Sequence, residues 1–200
     1  MGIKIKNLPE KYAVIWGKAL PYLEKGRPGD DRHAAEVVEL VLGYTGKVID
    51  KDVLVPTAMM HDIGHCAILP DHFKFVTGPE KLINGKLAHM LTGAKIASDI
   101  LEEVGYPKDK AKEIIDIITV HDADQLKGIS MEKWFDTENK KVFHDLDSMD
   151  RYTEARIKSF EKLYPVKEKL IQVLEESLNS FFYDEFRDLA KDRLTKLTKK

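Results

Sequence analysis

The chain has 200 residues, and its 32 lysines and arginines nearly balance its 34 aspartates and glutamates, giving a formal net charge of -2. This balance argues against a nucleic-acid polymer or an acidic lipid surface as a partner. With no apolar run long enough to span a bilayer and no leader pattern in the first twenty residues, we expect a cytoplasmic protein. The single cysteine, Cys66, excludes an internal disulfide and a thiolate zinc cage. Any metal site would therefore use histidine and carboxylate ligands.

The first predicted helix begins at an aspartate cap, either Asp30 or Asp31. Apolar residues recur at helical spacing over residues 34–42, and Gly43 is a plausible stop. His33 lies one turn before this stripe begins, on its inward edge. The pattern therefore predicts a helix that carries a histidine into the core.

A second helix is predicted from Asp50, with Pro56 expected to start it late or to kink it. Its apolar run ends in the stretch "MMHDIGHC", where Gly64 stops the helix. Residues 65–85 contain two prolines and an Asn-Gly pair, so we expect a long connection there, of the kind that often forms a lid.

The third helix is predicted over residues 86–104 and carries His89 near its start. Its expected inward stripe contains Leu87, Leu91, Ala94, Ala97, Leu101 and Val104. Pro107 opens a further helix that ends in His121 and Asp122. Residues 123–142 are predicted to form a polar loop.

Helical periodicity resumes over residues 143–164, and two amphipathic segments follow Pro165. We find no strand alternation and no internal repeat. The sequence thus predicts an all-α helical bundle forming one domain over residues 1–200, with a core at about 30–164 and a helical extension at 165–200. The apolar stripes of the extension would serve the core or a homodimer contact.

Four predicted helices each present a histidine or aspartate at the end of an apolar stripe, which suggests that these side chains meet at one depth of the bundle. The candidates are His33, His61 with Asp62, His89, and His121 with Asp122. A lone histidine at such a place is more often a satisfied core residue than a ligand. The ordered set is what favours a metal site.

This order resembles the HD-domain superfamily of metal-dependent phosphohydrolases. The diagnostic set of that superfamily is a first histidine, an adjacent His-Asp pair and a distal aspartate, here His33, His61, Asp62 and, from "DLDSMDRY", Asp147. Met149 stands where the distal motif often has leucine. The resemblance covers roughly residues 30–151 and implies an HD-domain-like bundle.

The binuclear branch of the superfamily fills the middle histidine positions, as His89 and His121 do here. The resemblance therefore implies two divalent ions, with Fe, Mn, Ni, Co and Zn all compatible with imidazole and carboxylate ligands. Asp62 projects about 100° from His61 on a helix, so it can reach an ion that His61 cannot and bridge the two. Such a pair activates water for phosphoester hydrolysis.

The resemblance implies a small phosphorylated metabolite as substrate, a nucleotide or another phosphomonoester or phosphodiester. Besides the bridging Asp62, we expect catalytic contributions from His65 and Asp122. Three basic residues are candidate phosphate contacts: Arg32, Lys127 and Arg151. Asp124 imitates the distal motif, but it follows His121 too closely to take that place.

A di-iron oxygenase resembling inositol oxygenase is the chief alternative, because enzymes of that kind share this ligand order. A module that senses a ligand through a degenerate site is a weaker alternative, since every ligand position is filled. We favour the hydrolase because no residue marks an oxygenase.

Overall fold

The computed structural model describes residues 3–67, 80–126, 130–160, 164 and 166–198, and their regular backbone is helical, with no strand among them. The predicted all-α class is therefore confirmed. The α-helices in this part of the chain are α1 (Glu10–Lys25), α2 (Asp30–Gly43), α3 (Lys51–Met60), α4 (Glu80–Glu103), α5 (Lys108–Ile118), α6 (Met131–Trp134), α7 (Glu138–Ser148), α8 (Glu154–Phe160), α9 (Lys167–Ser177) and α10 (Asp184–Thr198). None of the described helices combines the length and apolar character needed to cross a membrane.

The chain divides into two compact units, residues 1–143 and residues 144–200. The division falls inside α7, whereas the sequence analysis began its C-terminal extension at residue 165. The predicted histidines at 33, 61, 89 and 121 all belong to the first unit.

Helix α3 forms the centre of the first unit, and every side chain from Val53 to Met60 is buried. It packs against α1, α2 and α5. A helix that is apolar on all sides belongs in the interior, because any exposed face would leave hydrophobic surface in water. This central position carries the residues that follow α3 into the core.

Pro56 lies inside α3, yet the helix continues through it. A proline has no N–H to donate, so the carbonyl of Asp52, four residues earlier, loses its helical partner. The hydroxyl of Tyr106 donates to that carbonyl at 2.6 Å. The expected late start is therefore absent, since α3 runs from Lys51 and continues through Pro56, and Tyr106 supplies the missing donor.

The side chain of Asp52 ties the start of α3 to two other helices. Its Oδ1 accepts hydrogen bonds from Lys11 Nζ and from the Tyr12 hydroxyl, both at 2.5 Å, and its Oδ2 lies 3.1 Å from Lys110 Nζ. The hydrogen bonds from Lys11 and Tyr12 hold the pKa of Asp52 well below its usual range. The charged carboxylate therefore stabilises the folded state.

We expect Asp52→Asn to destabilise the protein by about 1–2 kcal/mol at pH 7, a modest cost because a third of the side chain is exposed. Since the folded-state pKa is depressed, this stabilisation is complete above the unfolded pKa of about 3.9 and is lost as the pH falls below it. Urea unfolding at pH 7 and pH 3 measures the difference. Asp99→Asn, which breaks an exposed pair with Lys95, should cost under about 0.5 kcal/mol. An equal penalty for Asp52→Asn at both pH values would contradict the prediction.

Helix α4 differs from the sequence prediction in its start and in its buried face. It begins at Glu80 rather than Lys86, through the Asn-Gly pair assigned to the connection. Leu87 and Leu91 of the expected stripe are 41% and 53% exposed, whereas His89 is fully buried. The side of α4 that carries His89 faces the core, because this part of the helix contacts the turn after α3.

Three further segments also differ from the prediction. Helix α1 was not predicted, and the expected polar loop at 123–142 contains α6 and the first half of α7. The helix expected over 143–164 is interrupted, because Thr153 is extended and its hydroxyl accepts the Arg156 N–H at 3.2 Å. Thr153 thereby caps a separate helix, α8.

In the second unit, Asp145 of α7 fixes the segment before α10. The carboxylate is fully buried and accepts the backbone N–H groups of Phe182 and Tyr183 at 3.0 and 2.9 Å. Helices α9 and α10 confirm the two amphipathic segments predicted after Pro165. The buried carboxylate thereby satisfies two backbone N–H groups and connects these elements.

Candidate metal site

His61 and Asp62 follow α3 directly and are both buried. The Nδ1–H of His61 donates to the carbonyl of Ala58 at 3.0 Å, within the last turn of the helix. This bond selects the tautomer in which Nε2 keeps its lone pair. The apolar helix thus places an acceptor nitrogen in the core with its ring orientation fixed.

His121 repeats this arrangement after α5. Its Nδ1–H donates to the carbonyl of Ile118 at 2.8 Å, and the ring is buried. In both cases the histidine lies three residues beyond the carbonyl that orients it. Its Nε2 therefore also presents a lone pair, the form in which imidazole binds a metal ion.

Each of these histidines meets a second one from another helix. His33 of α2 approaches His61 with its Nε2 3.0 Å from the Nε2 of His61. His89 of α4 approaches His121 with an Nε2–Nε2 distance of 3.2 Å. Four buried imidazoles therefore form two pairs whose Nε2 atoms converge.

Asp62 lies between the two pairs and directs one carboxylate oxygen to each. Its Oδ2 is 3.8 Å from His33 Nε2 and 3.6 Å from His61 Nε2. Its Oδ1 is 3.8 Å from His89 Nε2 and 3.6 Å from His121 Nε2. The first unit thus contains two similar sets of two nitrogens and one oxygen that share a single carboxylate.

These distances suit a divalent ion at each set. Two ligand atoms about 2.1 Å from one ion lie roughly 3.0–3.6 Å apart for bond angles of 90–120°. The observed separations of 3.0–3.8 Å fall at or just above this range. Two groups of His and Asp side chains could hold metal ions, one being Asp62, His89 and His121 and the other including His33 and His61.

The protonation states favour metal binding. Burial and the neighbouring His121 and His65 rings lower the pKa of His89 to about 3, so this ring is neutral at pH 7. Burial alone would raise the pKa of Asp62, but the neighbouring His61 ring and the guanidinium of Arg27 hold it well below its usual range. Neutral imidazoles around an ionised carboxylate are the states a metal ion requires.

His65 lies at this site, as the sequence predicts. Its catalytic role stays a prediction. Its ring stacks on His89 with centroids 4.1 Å apart, and its Nε2 is 3.3 Å from Asp62 Oδ1. Asp122 lies on the other side of His89, with Oδ2 3.4 Å from His89 Nε2. Both residues therefore contact groups that could bind metal.

Gly64 allows this contact between segments. It lies in the 3₁₀ turn Ile63–Ala67 after α3, which packs closely on α4. A Cβ on Gly64 would lie 1.9 Å from the carbonyl oxygen of His89 and 2.5 Å from the nitrogen of Gly93. Only glycine permits this approach, which brings His89 next to Asp62 and His65.

Two cationic residues at the site were not predicted from the sequence. Arg27 Nη2 lies 2.8 Å from Asp62 Oδ2, and Lys86 Nζ lies 2.7 Å from Asp122 Oδ2. The sequence does indicate Lys86, because this residue precedes His89 by three positions and so lies on the same face of the helix. Arg27 lies in the Gly/Pro turn before α2, where no periodicity indicates the direction of a side chain.

The remaining predicted residues are Arg32, Lys127, Asp147 and Arg151. Arg32 is 59% exposed and lies 3.8 Å from Glu36. Arg151 and the half-buried Asp147 belong to the second unit. Lys127 lies outside the described residues, as does most of the connection predicted at 65–85. The roles of these residues stay predictions.

Searches with family models, with curated protein sequences and with solved structures found no match to this chain. The fold and the site together define the class as all-helical proteins with buried His/Asp groups that could bind metal ions.

Proposed function

We propose that this protein is a metal-dependent phosphohydrolase of the HD-domain superfamily, binding two divalent ions and acting on a small phosphorylated metabolite. The observation that carries the proposal is the position of Asp62 between two histidine pairs, with one oxygen toward each. Few functions other than bridging two cations require a buried carboxylate in that position. The order of ligands along the sequence supports the superfamily.

His33, His61 and Asp62 would hold one ion, and Asp62, His89 and His121 the other. Asp147 is the proposed further ligand of the first ion, as the sequence resemblance implies. Two bound divalent ions supply Lewis acidity and an acidic water for attack on phosphorus.

The residues of the chain have distinct tasks in this scheme. The carbonyls of Ala58 and Ile118 orient the rings of His61 and His121. Burial excludes bulk water, which strengthens every charge interaction in the site. His65 Nε2, 3.3 Å from Asp62, can hold a proton for the leaving oxygen, and Asp122 can accept one.

Metal analysis and a substrate screen test the proposal. Protein purified without added metal is analysed for bound elements, then assayed for phosphate release from phosphomonoesters and phosphodiesters with Mn, Co, Ni, Zn or Fe in the absence of oxygen. We expect anaerobic phosphate release that His61→Ala reduces at least about 100-fold. The matched control is Asp99→Asn, an exposed α4 substitution expected to change nothing.

Two outcomes would contradict the proposal. Turnover that requires iron and consumes oxygen would establish the oxygenase alternative. Unchanged metal content in His61→Ala would exclude the assigned ligands altogether.

A further inference from the structure

We propose that Arg27 and Lys86 form an anion-binding pair at the edge of the His/Asp site and make the protein select phosphomonoesters over phosphodiesters. This inference rests on the proposed phosphohydrolase function and specifies its substrate class. It starts from two cations that contact the site and still reach solvent.

Arg27 is held in place from one side and exposed on the other. Its Nε lies 3.1 Å from Asp30 Oδ1, while its backbone N–H donates to Asp30 Oδ2 at 2.8 Å. The remaining part of the guanidinium reaches Asp62 at 2.8 Å, and 46% of the side chain is exposed. Because Asp30 fixes the guanidinium, its outer N–H groups are oriented before any ligand arrives.

Lys86 likewise contacts a carboxylate of the site and still reaches solvent. Its Nζ lies 2.7 Å from Asp122 Oδ2, and 30% of its side chain is exposed. Asp122 is held in turn by the side-chain amide of Gln125 at 2.5 Å. An ammonium group has three donors, so the bond to Asp122 leaves two for a ligand.

The two cations are close to the same reacting region. His89 Nε2 lies 3.8 Å from the Asp62 carboxylate that Arg27 contacts and 3.4 Å from the Asp122 carboxylate that Lys86 contacts. Arg27 contacts Oδ2 of Asp62 and Lys86 contacts Oδ2 of Asp122, so a phosphoryl group bound next to these two carboxylates would be near both cations.

The charge balance of the first unit favours a dianion. Asp30, Asp62 and Asp122 contribute three negative charges, and Arg27 and Lys86 two positive ones. With two divalent ions bound and the carboxylate of the proposed ligand Asp147 included, these groups carry a net positive charge of about two. A phosphomonoester brings nearly two negative charges at pH 7 and a diester only one, so the monoester gains more from this field.

The shape of a monoester also matches the pair. Its three terminal oxygens can contact the metal ions and still leave an oxygen for Arg27 or Lys86. A diester has two such oxygens, since its second ester group occupies the third position. That second group would place uncharged atoms against one of the cations.

The test compares hydrolysis of p-nitrophenyl phosphate and bis(p-nitrophenyl) phosphate by the Mn-loaded protein. We expect the wild type to prefer the monoester in kcat/KM by at least about 100-fold. Arg27→Met and Lys86→Met should each lower monoester kcat/KM by about 10–100-fold and alter the diester value by less than about 3-fold. Lys95→Met removes a charge from an exposed site on α4 and should leave both values unchanged.

Calorimetry on the same Mn-loaded proteins supplies a readout independent of turnover. Methyl phosphate should bind the wild type more tightly than dimethyl phosphate, and each Met variant should weaken methyl phosphate binding while retaining the wild-type metal content. Arg27→Lys should retain part of the affinity, because lysine keeps the positive charge but lacks the paired N–H donors of the guanidinium.

The possible outcomes distinguish a failure of this inference from a failure of the proposed phosphohydrolase function. Hydrolysis with no preference for the monoester, or variants that lower both esters equally, would overturn the inference and leave the hydrolase standing. If neither ester is hydrolysed, the proposed function fails, and calorimetry alone decides whether Arg27 and Lys86 bind a phosphate dianion. Equal methyl phosphate affinity in wild type and both Met variants would overturn the inference in either case.

Discussion

Replacement of Asp62 by alanine is expected to remove both metal ions, whereas replacement of a histidine from either pair should remove only one. Asp62 supplies an oxygen within 3.8 Å of the Nε2 atoms of both pairs, so its loss takes a ligand from each set at once. The carboxylate would also balance the charge of two bound divalent ions in a buried place. We expect the affinity for each ion to fall by at least about 100-fold and phosphoester hydrolysis by at least about 1000-fold.

Elemental analysis and calorimetric titration with Mn measure the stoichiometry. His33→Ala and His89→Ala are the matched comparisons, because each removes a ligand from one pair and leaves the other intact. Circular dichroism checks that the variants remain helical. A variant of Asp62 that still binds two ions per chain would refute the bridging role.

Substitution of Gly64 by alanine is expected to produce the largest loss of stability in the chain, about 3–5 kcal/mol. The added Cβ would lie 1.9 Å from a backbone oxygen of α4, and neither backbone segment can yield as a flexible side chain would. Relief requires the 3₁₀ turn and α4 to separate, which opens the packing around His89. Metal affinity should therefore fall together with stability.

Two other glycines make a graded series for urea unfolding. A Cβ on Gly93 would lie 3.3 Å from the nitrogen of Gly64, so Gly93→Ala should cost about 1–2 kcal/mol. A Cβ on Gly17, inside α1, meets nothing within 4 Å, and Gly17→Ala should stabilise by about 0.5–1 kcal/mol. Equal unfolding midpoints for Gly64→Ala and Gly17→Ala would show that the close approach is absent in solution.

The site residues that the sequence predicts correctly are those that local helical periodicity places. His61 and His121 both end apolar helices, and a carbonyl three residues earlier orients each ring, so helical spacing alone places them at the core edge. His33 and His89 also lie near apolar stripes, although the stripe predicted for α4 is buried only at Ala94, Ala97 and Leu101. Leu87 and Leu91 are exposed there, because the packing of Gly64 against α4 determines which side of that helix faces inward.

The missed residues depend on contacts between distant segments. Helix α1 supplies Lys11 and Tyr12 to Asp52, about forty residues away in sequence, and no local pattern reports such a pairing. Arg27 reaches Asp62 from an irregular turn, where side-chain direction follows from the turn geometry and not from a period. Arg32 was the more obvious basic candidate beside His33, yet it lies near Glu36 on the surface.

The sequence by itself determined the helical class and the residue types available to bind a metal, because apolar periodicity and the absence of paired cysteines are local and compositional properties. The structure adds that a carbonyl of the same helical turn orients the rings of His61 and His121. Only the tertiary structure decided that Asp62 directs one oxygen to each histidine pair and that Arg27 and Lys86 contact the site. Those relations depend on how α2, α4 and the turn after α3 pack. The close contact between that turn and α4 requires Gly64, because a Cβ there would collide with the backbone of α4.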